Sequence, residues 1–225
     1  SDVCSSDLLE SMRTSACLIA AATAGAALGY TPAADEVMLL NFNAGAGAIT
    51  HEWRANNDPV MGGQSYSTVA VQNNVLNFTG ACKIVPSLKA PGFITAVNSD
   101  HDAFADVSSC EGLKVIHQSD NDYAGFRVSF GHTKPPGGKF FSYGFKSHFT
   151  PNVGFFGAAL MPFGNFSDFW DDSTGKIIHS CAEDKVYCPD AKTLSNMETL
   201  SFWAEGVEGD VHLEVDSVVG YGCKK

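Results

Sequence analysis

The stretch YAGFRVSF, residues 123–130, decides the fold class because its apolar residues recur at every second position. Successive side chains of an extended strand point to opposite faces, so this period predicts a strand with one buried face. The residues on the apolar face are Ala124, Phe126, Val128 and Phe130. Those on the opposite face are Tyr123, Arg127 and Ser129.

The same period of two recurs elsewhere in the chain. In FFSYGFKSHF, residues 140–149, four aromatic residues share one face, and Ser142, Lys146 and His148 share the other. Near the end, Val211, Leu213 and Val215 alternate with polar residues. The segments GLKVIHQ, residues 112–118, and GFFGAALMPF, residues 154–163, are predicted as further strands.

Helical patterns are nearly missing from the same sequence. Beyond residue 35, only AKTLSNMETL, residues 191–200, predicts a helix, and of two turns at most. Many short strands separated by turn residues are typical of sandwiches and jelly rolls. The sequence therefore predicts an all-β protein, a β-sandwich or jelly roll, with one domain over residues 35–225.

The first 34 residues are predicted to lie outside that domain. Residues 1–11 contain DVCSSDL, which matches the in-frame translation of a widely used sequencing adapter, and we interpret them as an artefact. Residues 12–34 combine one arginine, an apolar stretch and small residues, which is typical of a signal peptide. We expect the protein to enter the ER and be secreted. An alga with ER-enclosed plastids would use a similar leader for its plastid, and a mitochondrial address is disfavoured.

Charge and hydropathy restrict the partners. The formal net charge is −11, with 14 Lys and Arg residues and no basic run, which disfavours nucleic acid and anionic membranes. The apolar run of the leader is too short for a comfortable membrane span. Once the leader is removed, we therefore do not expect an integral membrane protein.

Cysteines and sequons fit a chain that enters the ER. Six residues separate Cys181 from Cys188, and this spacing predicts a small loop closed by a disulfide rather than a zinc site. The pairing of Cys82, Cys110 and Cys223 stays open. Asn77 and Asn165 begin Asn-Phe-Thr and Asn-Phe-Ser, which are candidate glycosylation sites.

The stretch NNDPVMGGQSYS, residues 56–67, is predicted to lead into a β-hairpin. Pro59 favours an extended Asp58, and Gly62 and Gly63 permit a positive φ or a close backbone approach. The alternating SYSTVAV, the turn residues Gln72 to Asn74 and the returning VLNFTG follow at once.

This stretch also resembles the signature of a known family, the complex I intermediate-associated protein 30 family. The matching residues are Trp53, Asn57, Asp58, Val60, Met61, Gly62, Gly63 and Ser65. Weaker matches follow in the same order, including Met161-Pro-Phe163 and the late strand that begins at Leu213. Together they span about residues 40–220.

The resemblance implies a galactose-binding-like β-sandwich and a non-enzymatic assembly factor that recognises protein partners. It implies no catalytic residues and no cofactor. The chain departs from the family pattern in its ER-type leader and its additional cysteines. A secreted carbohydrate-binding module is the alternative function, for which Phe169 and Trp170 are candidate exposed aromatic residues.

Two groups of polar residues are candidate sites. The first is a ligand or partner face, and its members are Tyr123, Arg127, Lys146, His148 and Trp170. Ordinary solvent exposure of an antiparallel sheet explains such a face equally well. The second is an acidic turn with three carboxylates that can ligate Ca²⁺, namely Asp168, Asp171 and Asp172. Its spacing does not fit an EF-hand, so a solvated turn is the other interpretation.

Overall fold

The computed structural model describes residues 29–43, 47–58, 62–100, 102–132, 144–171 and 174–225. Strands dominate these residues, as the alternation predicts, and the single α-helix among them has five residues. The elements in chain order are β1 (Val37–Asn41), β2 (Trp53–Asn57), β3 (Tyr66–Gln72), β4 (Val75–Cys82), β5 (Ile84–Val85), β6 (Ala90–Pro91), β7 (Phe93–Asn98), β8 (Gly112–Ser119), β9 (Phe126–Gly131), β10 (Phe145–His148), β11 (Gly157–Pro162), β12 (Phe169–Trp170), β13 (Ile177–His179), α1 (Ala191–Ser195), β14 (Thr199–Glu205) and β15 (Gly209–Tyr221).

Two antiparallel sheets form the body of the domain. The first has the order β11-β8-β15-β4-β3, and β1 pairs with the second half of β15. The second has the order β10-β9-β14-β7-β2. Two shorter pairs, β5 with β6 and β12 with β13, lie outside these sheets. The prediction of a β-sandwich of the jelly-roll class is confirmed.

The core lies between the two sheets and consists of the residues that alternate inward. Phe78 and Leu213 contribute from the first sheet, and Phe126, Val128 and Phe202 contribute from the second. All five are fully buried. Burial of a large apolar side chain stabilises a fold by about 1.5–3 kcal/mol, so this alternation is the main stabilising feature of the sandwich.

The predicted hairpin is formed by β3 and β4. Their register runs from Tyr66 opposite Ala81 to Gln72 opposite Val75. Asn73 and Asn74 make the turn, with φ of 54° and 64°. A two-residue hairpin loop with positive φ at both positions suits asparagine, which tolerates the left-handed region better than most residues.

The strand predicted over residues 123–130 is shorter in the structure. A turn at Ala124 and Gly125 precedes β9, which begins at Phe126, so Tyr123 does not continue the alternation. Tyr123 is buried against Phe126, and its hydroxyl donates to the Val207 carbonyl at 2.7 Å. The prediction that Tyr123 lies on the polar face is therefore wrong. The residues before Gly144 in the neighbouring predicted strand lie outside the described residues.

Two disulfides are present among the described cysteines. Cys181 pairs with Cys188, as the spacing predicts, and Cys110 pairs with Cys223 across 113 residues. Cys82 is the unpaired one, and burial raises the pKa of its thiol to about 11. A thiol with this pKa is protonated at neutral pH and therefore unreactive.

The described part of the chain contains no helix that is long and apolar enough to cross a membrane. The leader proposed for residues 12–34 lies largely outside the described residues.

His117 on β8 is a buried histidine that the fold holds neutral. Its Nδ1 faces the Val115 carbonyl at 3.2 Å, and its Nε2 accepts from the Asn152 backbone N–H at 3.1 Å. One nitrogen therefore donates while the other accepts, which fits the neutral ring. Burial lowers the pKa of His117, because a charged ring loses its hydration there.

We expect acidification to destabilise the domain through His117. The folded-state pKa lies below the unfolded value, so the unfolded chain binds a proton first and stability falls as pH drops from 7.5 to 5. The loss from one such histidine is up to about 2 kcal/mol at pH 5. Urea unfolding across this range measures it. His117→Gln should give a flatter profile, and an unchanged slope would contradict the assignment.

Candidate functional site

The family motif builds a buried carboxylate cage rather than a binding loop. Asp58 is buried, and its carboxylate accepts from the Ser65 N–H at 2.9 Å and the Ser65 hydroxyl at 2.6 Å. It also accepts from the Phe93 N–H at 3.2 Å, on β7 of the second sheet. The Ser65 hydroxyl in turn accepts from the Lys83 N–H. Asp58 therefore links the start of β3, in the first sheet, to β7 in the second.

The other motif residues support the same cage. A Cβ on Gly63 would lie 2.6 Å from Asp58 Oδ2, so only glycine fits there, and Gly62 has a φ of +80°. The Trp53 ring packs against Phe42 and Phe202. The Asn57 amide bonds to the Ser67 hydroxyl at 2.7 Å. Val60 and Met61 lie outside the described residues.

The outer surface of the second sheet carries the polar residues of the predicted face. His148 on β10 lies opposite Arg127 on β9, and Arg127 lies opposite Trp203 on β14. In the next row, Lys146 lies opposite Ser129. The structure therefore brings Arg127, Lys146 and His148 together, as the alternation predicts.

A segment we call the strap, residues 167–188, covers part of this face. It consists of β12, the turn after it, β13 and the loop closed by Cys181 and Cys188. Backbone hydrogen bonds of 2.9 Å and 3.1 Å between Lys146 and Ser167 attach the strap to the edge strand β10. The rings of Phe169, His179 and Tyr187 pack on one another and brace it.

Lys146 is fully buried beneath the strap, which corrects the expectation of a solvent-exposed lysine. Its Nζ lies 2.7 Å from Glu205 Oε1. It also lies 3.4 Å from the ring centroid of Trp170 and 3.9 Å from that of Trp203. An ammonium group out of water needs a counter-charge, and here one carboxylate and two aromatic rings supply it.

Arg127 fastens the strap to the sheet through backbone carbonyls. Its Nε donates to the Gly175 carbonyl at 2.9 Å, and its Nη1 donates to the Gly125 carbonyl at 3.0 Å. Nε also lies 3.5 Å from Glu205 Oε1. Glu205 is therefore shared by two cations, and the three side chains together carry one net positive charge.

A cavity of about 290 Å³ opens beside this cluster, between β9, β10 and the strap. The described residues of its lining include three basic side chains and no carboxylate; they are Arg127, Lys146, Ser147, His148, Gly175, Lys176 and Ile177. Burial, and then the charge of Arg127, lower the pKa of His148, so its ring is neutral at physiological pH.

Trp170 joins the predicted face, but not as an exposed platform. Its side chain is buried, with one ring face over Lys146 and an edge toward Trp203. Phe169 is half-buried and packs against Tyr187. The expectation of two exposed aromatic residues on this segment is therefore wrong, because the strap folds back onto the sheet.

In the acidic turn, Asp171 caps the backbone that follows it. Asp171 Oδ1 accepts from the Thr174 N–H and hydroxyl at 2.8 Å and 3.0 Å. Asp168 is half-buried, and Asp172 lies outside the described residues. Within the described ranges, no group of three or more His, Cys, Asp or Glu side chains is placed to hold a metal ion.

The two sequons differ in their surroundings. Asn77 lies inside β4, and its amide donates to Glu214 Oε1 at 3.3 Å on the neighbouring strand. Asn165 is exposed in the short turn after β11. Asn165 is thus the better placed of the two for a glycan.

Glu205 and Trp203 complete the site, and the sequence analysis missed both. The segment LSFWAE alternates Leu200, Phe202 and Ala204 with Ser201, Trp203 and Glu205, so the signal was present. Every residue of β14 is buried, however, because the strap covers the outer face as the core covers the inner one. The alternation alone would place Glu205 on a solvent-exposed face, and only the fold shows that this face is covered.

The two antiparallel sheets form a galactose-binding-like β-sandwich of the jelly-roll class. The chain belongs to the complex I intermediate-associated protein 30 (CIA30) family, whose sequence profile matches residues 41–180. The match ends at β13, so the loop from Cys181 to Cys188 lies beyond it. No curated protein sequence is significantly similar to the chain.

Two solved structures share the fold. One is the family 11 carbohydrate-binding module from Clostridium thermocellum in complex with a beta-1,3-1,4-mixed-linked tetrasaccharide, with a TM-score of 0.51 and 14% identity. The alignment covers 86% of this chain and 99% of that one. The other is the solution structure of CtCBM11, with the same TM-score and identity, over 87% and 100% of the two chains. At this identity the likeness establishes the fold alone.

Proposed function

We propose that the protein is a non-enzymatic assembly factor of the CIA30 type that recognises a protein partner through the strap. Ile177 and Ile178 are adjacent on β13 and are 36% and 51% exposed, and Val186 in the disulfide loop is 69% exposed. This apolar surface on a braced element is the observation that carries the proposal. Exposed apolar surface on a preordered segment is typical of protein interaction sites.

The aromatic residues of the same face support protein recognition over sugar stacking. Lys146 occupies one face of each of the Trp170 and Trp203 rings, and the Trp203 indole N–H donates to Ser129. A sugar that stacks on an aromatic platform needs an open ring face. Trp170 and Trp203 are only 9% and 8% exposed, so neither offers an open ring face on this sheet.

A carbohydrate-binding module is the second candidate, and the cavity beside Arg127 is the observation that favours it. A volume of about 290 Å³ is at the lower end of the usual size of small-molecule sites. Screening the folded domain on a glycan array, with and without Ca²⁺, tests this candidate. Saturable binding of a neutral glycan would support it over protein recognition.

We further propose that the protein acts in the secretory route or in a plastid reached through the ER. The two disulfides support this, because such bonds persist in oxidising compartments. Imaging the tagged full-length chain in its own cells tests the route, and a mitochondrial signal would contradict it.

Replacing Ile178 with aspartate is expected to reduce capture of the partner at least tenfold while the domain stays folded. Ile178 is half-exposed, so the change affects stability by only about 0.5 kcal/mol. The measurement is co-purification from cells that express the tagged full-length chain. Leu160→Asp is the matched control, because Leu160 is 60% exposed on β11 of the other sheet. Equal loss in both variants would contradict a specific strap surface.

A further inference from the structure

The cavity beside the strap carries a local positive charge on an otherwise acidic protein. The formal charge of the whole chain is −11, yet the charged side chains among the described lining residues are Arg127, Lys146 and Lys176. The nearby carboxylate of Glu205 serves two of these cations, with Lys146 Nζ at 2.7 Å and Arg127 Nε at 3.5 Å. The side chains of Arg127, Lys146 and Glu205 are at most 11% exposed.

The guanidinium of Arg127 still has donors to offer. Nε and Nη1 donate to the carbonyls of Gly175 and Gly125, and no described residue accepts from Nη2. A guanidinium fixed by backbone carbonyls is already oriented, so little rotamer entropy is lost when it binds a carboxylate. Lys176 is exposed and lies on the same lining, where it adds a second cation.

The surroundings of the cavity restrict what kind of carboxylate fits. Ile177 lines the cavity, and Ile178 follows it on the exposed strand β13. A highly charged polyanion would be repelled by the net negative protein, whereas a single carboxylate on an apolar chain would match both the cation and the isoleucines.

We propose that this cavity binds the carboxylate of an acidic side chain presented by an apolar, extended segment of a protein partner, with Arg127 as its main ligand and Lys176 as a second. The proposal rests on the proposed function and names the chemistry of the partner. The neutral ring of His148 and the Ser147 hydroxyl line the same space and supply uncharged hydrogen-bonding groups beside the carboxylate.

The test is a titration of the isotope-labelled domain with two peptides, followed by NMR. The probe is acetyl-VIEIV-amide, and its matched control is acetyl-VIQIV-amide, which has the same shape without the charge. We expect the Arg127 Nε–H signal and the amides of Gly175 to Ile177 to shift saturably with the first peptide. The second peptide should bind at least tenfold more weakly. Equal affinities, or no saturable shift with the acidic peptide, would overturn the proposal.

Variants test whether Arg127 and Lys176 contribute to peptide binding in the folded domain. Arg127→Lys keeps the charge but loses the fork of donors, and we expect at least a tenfold loss of affinity for the acidic peptide. Lys176→Glu changes an exposed residue, and we expect about a fivefold loss. Lys225→Glu changes the net charge equally at the chain end and should have no effect. A loss of equal size in Lys225→Glu would mean general electrostatics and would overturn the site.

Two outcomes distinguish this inference from the proposed function. If Ile178→Asp abolishes co-purification of the partner while Arg127→Lys and Lys176→Glu leave it unchanged, the strap surface stands and the carboxylate site fails. If trigalacturonate binds the labelled domain more tightly than acetyl-VIEIV-amide, the cavity takes a sugar acid, and its assignment to a protein partner fails.

Discussion

Replacing Gly92 with alanine is expected to lower the free energy of unfolding by about 3 kcal/mol or more, or to prevent folding. A Cβ at this position would lie 2.6 Å from Asp58 Cγ, closer still to Oδ2, and 3.1 Å from the Ser65 hydroxyl. The carboxylate cannot retreat, because the N–H groups of Ser65 and Phe93 and the Ser65 hydroxyl hold it. Urea unfolding measures the loss.

Two controls make this prediction specific. Gly164→Ala adds the same methyl group where nothing lies within 4 Å, and it should be close to neutral. Asp58→Ala removes the group that the new Cβ meets. In that background, Gly92→Ala should cost under about 1 kcal/mol, which is the non-additivity expected of contacting residues. Equal costs in both backgrounds would contradict the cage.

Replacing Glu205 with glutamine is expected to destabilise the domain by about 3–5 kcal/mol, because the buried cations Lys146 and Arg127 would both lose the carboxylate that they face. Lys146→Met should cost less, since Arg127 remains 3.5 Å from Glu205 and methionine still fills the space between the two tryptophans. The double variant should lose less than the sum of the two single losses.

The order of these losses is the informative result. Unfolding in urea at pH 7 should rank Glu205→Gln as less stable than Lys146→Met, and both as less stable than Lys176→Met. Lys176 is exposed, so its replacement should change stability by only about 0.5 kcal/mol. If Lys146→Met proved neutral or stabilising, the cluster would not be the element that holds the strap in place.

The sequence predicts the architecture well because alternation and turn chemistry are local signals. The strand from Phe126, the hairpin turn at Asn73 and Asn74, and the disulfide between Cys181 and Cys188 each depend on a few neighbouring residues. The motif from Asn57 to Ser65 identifies the family, and the structure gives the physical reason in the contacts of Asp58.

The candidate site was harder to predict, because it depends on contacts that are distant in sequence. In the sequence, Lys146 resembles a surface lysine. In the fold it is enclosed by the strap and by Glu205, which lies 59 residues later in the chain. Alternation placed Arg127 and His148 correctly but could not show that Trp170 turns inward. Tyr123 was misplaced because a two-residue turn interrupts the pattern.

The recognition role that we propose involves both the family fold and the strap. The CIA30 match includes strands of both sheets, from β2 to β11, and ends within the strap, at residue 180. The disulfide loop beyond it adds Val186 to the exposed isoleucines of β13. We therefore infer that the family fold supplies the scaffold, while the loop after residue 180 adjusts which partner this chain recognises.

Site-specific photo-cross-linking tests directly whether the strap contacts a protein partner. A photoreactive residue would replace Ile178 on the strap or, as the matched control, Leu160 on β11 of the other sheet, in the full-length chain expressed in its own cells. Recognition through the strap predicts that position 178 gives a discrete cross-link to a protein and that position 160 does not. Identical cross-linking from both positions, or none from position 178, would contradict the claim.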